Sequence, residues 1–187
     1  MSKMKPSSPL ITCEPWLAPE VINFIKDFLA KASDPKILEF GAGCSTVFFT
    51  TMMLPSSQLI SIEHSPIWFE SVQNYLIAHE LQADLRLVTN NYYEVCYQFP
   101  KNYFDLILLD GKDRMACLQA VRDNGILKPG GVVILDDAQM RAKYQVADDI
   151  MQAWPKIELS GWKQNPLHLN DEPVYGMTKC WFRPIVK

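Results

Sequence analysis

Five short apolar runs, each separated from the next by a stretch that reads as helix, constrain this fold more than any other feature of the chain. They are Lys36–Phe40 (KILEF), Gln58–Glu63 (QLISIE), Asp84–Val88 (DLRLV), Phe104–Asp110 (FDLILLD) and Gly131–Asp136 (GVVILD). Strands rich in apolar residues on both faces, with helices between them, build a parallel sheet covered on both sides. The intervening helices are expected at Thr46–Met53, Pro66–His79, briefly at Tyr92–Tyr97, at Arg114–Arg122 and at Ala142–Ala153. Another is expected from Pro19, where proline suits a first turn and Val21, Ile22, Ile25, Phe28 and Leu29 recur at helical spacing. Right-handed crossovers then make the sheet doubly wound. The last two strands, Ile157–Ser160 and Gly176–Phe182, have no helix between them and read as a closing antiparallel hairpin. Their polar linker reads either as a lid over a binding mouth or as an unordered loop.

A chain of 187 residues carries one core comfortably, so we expect an irregular arm over residues 1–17 and a single domain over 18–187. A formal net charge of −3 gives no reason to expect nucleic acid. No apolar run approaches the roughly 20 residues of a membrane helix, and no signal peptide is recognisable at the N-terminus. The five scattered cysteines suggest neither a disulfide framework nor a zinc site, and a cytoplasmic location is expected.

The first strand runs directly into Glu39-Phe40-Gly41-Ala42-Gly43-Cys44-Ser45-Thr46. Paired glycines between strand and helix let backbone approach a ligand, although any tight turn produces the same pair. The second strand ends in Glu63, whose carboxylate can accept two hydrogen bonds from a ribose diol. A dinucleotide site would usually add a third glycine; here Thr46 stands in its place, which favours a cofactor without a pyrophosphate.

The sequence E-x-G-x-G followed by S-T, with an acidic residue closing the second strand, resembles the class I S-adenosylmethionine-dependent methyltransferases. FDLILLDG resembles that family's fourth strand, and LKPGGVVILDD its fifth. The resemblance runs from about Pro19 to Phe182. It implies a Rossmann-like α/β fold: a doubly wound, mostly parallel, seven-stranded sheet closed by an antiparallel C-terminal hairpin, with helices on both faces. It also implies S-adenosyl-L-methionine as cofactor. Gly41, Ala42 and Gly43 would lie under it, and Glu39 would organise the loop and the amino group. Ser45 and Thr46 would cap the helix or touch the carboxylate. Glu63 would hold the ribose, His64 would stand near the adenine, and Asn90 or Asn91, here taken as Asn91, would replace the family's acidic residue at the adenine edge.

Methyl transfer needs nucleophile and methyl held in line at about 3 Å, with a base where the acceptor must lose a proton. Asp110, Lys112 and Asp136, at the ends of the fourth and fifth strands, are the candidate catalytic residues, Asp110 being also a candidate cofactor-binding residue, with Asp113, Arg114 and Asp137 beside them. Tyr144 and His168 are candidates on the lid side, whereas Trp68, Trp154, Trp162 and Trp181 read as core. The implied reaction is methylation, with oxygen favoured, of a small-molecule acceptor. A non-catalytic binding module, an aminopropyltransferase-like enzyme and a nicotinamide-dependent oxidoreductase remain alternatives. LLDGKDR with ILDDA is also similar to the catechol-type O-methyltransferases, whose magnesium ligands would match Asp110, Asp136 and Asp137. Asp137 stands where those enzymes have an amide, and one residue fewer separates Asp110 from Lys112. No catalytic metal is therefore expected.

Overall fold

Helix α1 (Pro19–Leu29) starts at the proline that sets its first turn, and buries Val21, Ile25 and Leu29. The computed structural model describes residues 11–12, 14–139, 144, 146–165 and 170–185. After α1 come strand β1 (Lys36–Phe40), helix α2 (Cys44–Met52), β2 (Gln58–Glu63), α3 (Pro66–Ala78) and β3 (Asp84–Leu87). A 3-10 helix (Tyr92–Gln98) leads to β4 (Phe104–Leu109), followed by α4 (Arg114–Asn124), β5 (Leu127–Leu135) and α5 (Ala147–Ile150). The chain closes with β6 (Lys156–Lys163) and β7 (Val174–Phe182).

These strands form one sheet in the order β3-β2-β1-β4-β5-β7-β6. Strands β1 to β5 pair in parallel, while β7 lies antiparallel between β5 and β6. This is the doubly wound, hairpin-closed sheet that the sequence implies. Its inner strands are buried on both faces. Leu106 and Leu108 of β4 pack with Val21 and Ile25 of α1 and Phe49 of α2. Ile107 and Leu109, on the opposite face, pack with Leu118 and Val121 of α4 and with Tyr92. Each such side chain contributes about 1.5–3 kcal/mol on leaving water, so the central strands anchor the fold.

Three boundaries differ from expectation. Strand β5 begins before the Pro-Gly-Gly turn, at Leu127, because residues 128–131 bulge opposite Asp105 before regular pairing resumes at Leu106↔Val132. Among the described residues the helix expected over Ala142–Ala153 is only Ala147–Ile150; Ala153 has φ +71, which no helix continues through. The hairpin is longer than expected at both strands, continuing through Gly161–Lys163 and Val174–Tyr175. Trp162 and Tyr175 pair directly across it, ring centroids 5.3 Å apart. Five residues of the anticipated lid, 161–163 and 174–175, are therefore strand. His168 and Cys13 lie outside the described residues.

Candidate active site

Sheet order reverses between β1 and β4, since β2 and β3 lie to one side of β1 and β5 to the other side of β4. Loops leaving the carboxyl ends of two such strands diverge and open a crevice. A cleft of about 660 Å³ lies there, walled by residues that include Gly41–Ser45, Glu63 and His64. Asp110–Arg114, Asp137, Lys163 and Trp16 also line it. Its size suits a small organic ligand.

The two glycines of the turn do different work. Gly41 has φ +105, and a Cβ there would lie 2.6 Å from Gly111 N and 2.7 Å from Gly111 Cα. Gly111 reciprocates, since its own Cβ would meet Tyr92 Oη at 2.5 Å and Gly41 N at 2.8 Å. The loops after β1 and β4 thus touch backbone to backbone, and both glycines are needed to close the sheet. Gly43 is extended (φ 177), and a Cβ on it would meet nothing nearer than Trp68 Cζ3 at 3.9 Å. The fold does not require that glycine; the room beside it belongs to the cleft.

Glu39, fully buried, sits beneath this turn. Ser45 Oγ donates to its Oε1 at 2.5 Å; Thr46 Oγ1 and Ser61 Oγ donate to its Oε2 at 2.6 and 2.5 Å. Thr46 Oγ1 also accepts from Gly43 N at 2.9 Å. Burial pushes the Glu39 carboxyl up to about 7 against these hydroxyls, which favour the charged form. Glu39, Ser45 and Thr46 therefore organise the loop through one another. Glu39 thus organises the loop and Thr46 caps α2, as the sequence reading has it; neither lines the cleft, and the Ser45 hydroxyl is turned inward to Glu39.

Glu63 ends β2 as expected and is 3% exposed. Its Oε1 accepts from the amides of His64 (2.8 Å) and Ser65 (2.6 Å), and among the described residues only that oxygen is engaged. His64 lines the cleft beside it, its ring edge-on to Tyr92 at 5.8 Å. Asn91 falls elsewhere: it is exposed, in a left-handed conformation (φ 48) at the start of the 3-10 helix, and does not line the cleft. It follows β3, which pairs with β2 and not with either strand flanking the crevice.

On the other side of β1, Asp110 extends beyond β4, its amide donating to Phe40 O at 2.9 Å. Its side chain is 27% exposed, and Asp110 lines the cleft. Burial, reinforced by nearby Asp136, raises its pKa above the ordinary carboxylate range, against the pull of Arg114 and Lys163. Arg114 pairs with Asp110 Oδ1 at 2.8 Å and donates to the carbonyls of Asp110, Gly111 and Asp136. It thereby ties the ends of β4 and β5 together. Lys112 is exposed at the mouth and lacks the desolvation that a lysine base requires. Asp136 is 1% exposed and does not line the cleft. Its Oδ2 holds Lys163 Nζ at 2.8 Å and its Oδ1 accepts from Thr178 Oγ1 at 2.5 Å. Of the catalytic residues expected from the sequence, Lys112 is thus solvent-exposed on the cleft wall and Asp136 is buried off it, paired with Lys163 and Thr178.

Oxygens of Asp110, Asp136 and Asp137 all lie within 4.8 Å of one another, a spacing that a hard cation could bridge. The residues as arranged do not fit one. Lys163 Nζ lies 2.6 Å from Asp137 Oδ1 as well as 2.8 Å from Asp136 Oδ2, and Arg114 holds Asp110. Burial acts to lower the Lys163 pKa, but the two carboxylates outweigh it and hold the ammonium above its ordinary value. Lys163 and Trp16 went unrecognised in the sequence. Lys163 looks there like part of a polar linker, and Trp16 like part of an irregular arm. Trp68, read as core, is half-buried against the cleft. Trp181 is core as expected, whereas Trp162 is 65% exposed.

Residues 38–138 match the model of a family described as "Methyltransferase domain". No curated protein is detectably similar in sequence. Among solved structures, a precorrin-6y C5,15-methyltransferase from Geobacter metallireducens is 15% identical, with TM-score 0.67, covering 93% of this chain and 94% of that one. A precorrin 8W decarboxylase from Methanobacterium thermoautotrophicum is 17% identical, with TM-score 0.63, covering 96% and 99%. An O-methyltransferase from Bacillus cereus, in complex with S-adenosylhomocysteine, is 14% identical, with TM-score 0.64, covering 95% and 84%. At such identities the likeness establishes the fold.

Proposed function

We propose that this chain, which belongs to the methyltransferase-domain family of S-adenosylmethionine-dependent enzymes, methylates an oxygen of a small-molecule acceptor. The observation that carries the reading is the division of one cleft between two chemistries. Glu63 closes β2 on one side of β1, Gly43 with its open face stands on the loop leaving β1, and Asp110, with its raised pKa, follows β4 on the other side.

The residues after β1 and β2 fit the cofactor. A carboxylate with one oxygen held by two amides is oriented to receive a diol on the other. Gly43 leaves a space that a Cβ would fill. When bound, S-adenosylmethionine supplies an activated methyl group and a neutral leaving group. Gly41, Ala42 and Gly43 would form its floor, His64 and Trp68 would border its base, and Asp110 would face the acceptor. A carboxyl whose pKa approaches the working pH can take the proton of an acceptor hydroxyl as the nucleophile forms. Arg114 fixes its orientation. Two observations argue against a polyamine acceptor, as an aminopropyltransferase-like enzyme would use. Asp110 is paired with Arg114, while Asp136 and Asp137 are paired with Lys163, which leaves little free negative charge for a polycation.

Calorimetric titration with S-adenosylhomocysteine and with NAD tests the cofactor. The first should bind and the second bind much more weakly; equal or tighter NAD binding would sink the assignment. Screening matched hydroxyl and amine compounds with methyl-labelled cofactor tests the acceptor. Label appearing on amines alone would overturn oxygen methylation.

A further inference from the structure

We propose that the Lys163 ammonium is the resident cation of the acceptor end, standing among Asp136, Asp137 and Asp110 where a divalent ion would otherwise stand and holding an acceptor oxygen in its place. The proposal rests on the methyl-transfer reading above and names what positions the acceptor.

The geometry builds this position in detail. Lys163 is the last residue of β6 and pairs with Val174 across the hairpin, so the extension of that hairpin is what carries it to the cleft. Its side chain is 3% exposed. The stem passes over Gly176, where an added Cβ would lie 3.2 Å from Lys163 Cε, so a glycine opposite the stem leaves it room. The ammonium then reaches Asp136 Oδ2 at 2.8 Å and Asp137 Oδ1 at 2.6 Å. Trp16 covers another side, its ring centroid 5.4 Å from Nζ.

Charge decides against a second cation in the same place. Three carboxylates face two bases, Lys163 and Arg114, leaving one net negative charge. Without Lys163 there would be two, on oxygens within 4.8 Å of one another. A dication entering the present arrangement would have to displace the ammonium from both its partners or sit against it. Both oxygens of Asp136 are already engaged, Oδ2 by Lys163 and Oδ1 by Thr178.

An ammonium has three donors. Lys163 gives one to Asp136 Oδ2 and stands in ion-pair contact with Asp137 Oδ1, on the wall of the cleft that it shares with Trp16, where a ligand oxygen can meet it. One fixed positive charge there favours an acceptor whose reacting oxygen is ionisable, and disfavours a protonated amine. Asp110, not Lys163, receives the acceptor's proton, so the ammonium keeps its charge throughout.

Replacing Lys163 by Met keeps the aliphatic stem and removes the charge. Mn²⁺ binding is read by electron paramagnetic resonance, and S-adenosylhomocysteine binding is read separately by calorimetry on the same preparations. Wild-type protein should bind no Mn²⁺ at millimolar concentration. Lys163→Met should bind a single Mn²⁺ and gain thermal stability from it. Adding Asp136→Asn should abolish both effects. If Lys163→Met does not fold unaided, refolding in Mn²⁺ should recover it; failure to recover, or recovery without bound Mn²⁺, overturns the proposal. Stoichiometric Mn²⁺ binding by the wild type, lost on Asp136→Asn, overturns it equally. Absence of S-adenosylhomocysteine binding alongside the expected Mn²⁺ pattern would instead sink the cofactor reading and leave the cation assignment standing.

Discussion

Substituting alanine at Gly41 and at Gly43 separately should damage different properties of this protein. At Gly41 the backbone φ of +105 is one that an L side chain adopts only under strain, about 1–3 kcal/mol. The new Cβ would also lie 2.6 Å from Gly111 N, an atom of backbone that cannot rotate away. Forcing those loops apart costs about another 1–3 kcal/mol, on the scale of overpacking a core. Gly41→Ala should therefore lose about 2–6 kcal/mol, which lowers the melting temperature by roughly 5–20 °C in a domain of this size. At Gly43 the backbone is extended and the nearest atom is 3.9 Å from an added Cβ, so Gly43→Ala should cost at most about 1 kcal/mol, as a changed helix cap. Its effect should fall on the ligand, with S-adenosylhomocysteine binding weakened roughly tenfold or more, about 1.4 kcal/mol, and abolished in Gly43→Val. Thermal unfolding and calorimetric titration of the variants measure both quantities. Equal losses of stability at the two positions would refute the division of labour. Normal ligand binding by Gly43→Val would show that the cofactor does not cross that glycine.

Glu63→Ala should weaken S-adenosylhomocysteine binding by roughly 1.5–3 kcal/mol, the scale of hydrogen bonds to a charged group, while circular dichroism stays unchanged. Glu39 offers a test in pH. Its folded-state pKa, raised from 4.5 to about 7, means that its contribution to stability is full below pH 4.5 and is lost as pH rises through about 7. Urea unfolding at intervals between those limits should show a decline on the order of 3 kcal/mol in wild type that Glu39→Gln lacks; parallel profiles would show that Glu39 does not titrate there. Asp110→Asn should leave cofactor binding intact and slow turnover of a hydroxyl acceptor by about 10²–10⁴. An undiminished rate would remove Asp110 as the base. Chelator should change neither cofactor binding nor turnover, and loss of turnover restored by Mg²⁺ would reinstate a metal.

How much of this was legible in the chain depended on how local each determinant is. Apolar runs such as FDLILLD and GVVILD report burial on both faces directly, and burial on both faces with intervening helices leaves few topologies besides a doubly wound parallel sheet. The strand-to-helix turn at Gly41–Gly43 and the acid closing β2 are also short-range patterns, and their places in the cleft follow from the topology. What Gly41 packs against is not legible there, because its partner, Gly111, lies 70 residues away and meets it only when β1 and β4 pair. Asn91 is a similar case: the sequence puts it after β3, but only the fold shows that its neighbour Tyr92 turns in against Gly111 and His64 while Asn91 stays exposed. Lys163 is the clearest case. In the chain it is a charged residue in a polar stretch, indistinguishable from a solvated loop. The antiparallel register of β6 on β7 lifts it out of solvent, and Asp136 and Asp137, at the end of another strand, hold it. Periodicity and turn chemistry act over a few residues and survive in the linear sequence. Charge pairing by Lys163 joins residues 26 and 27 positions apart, and those distances are set only when the sheet closes.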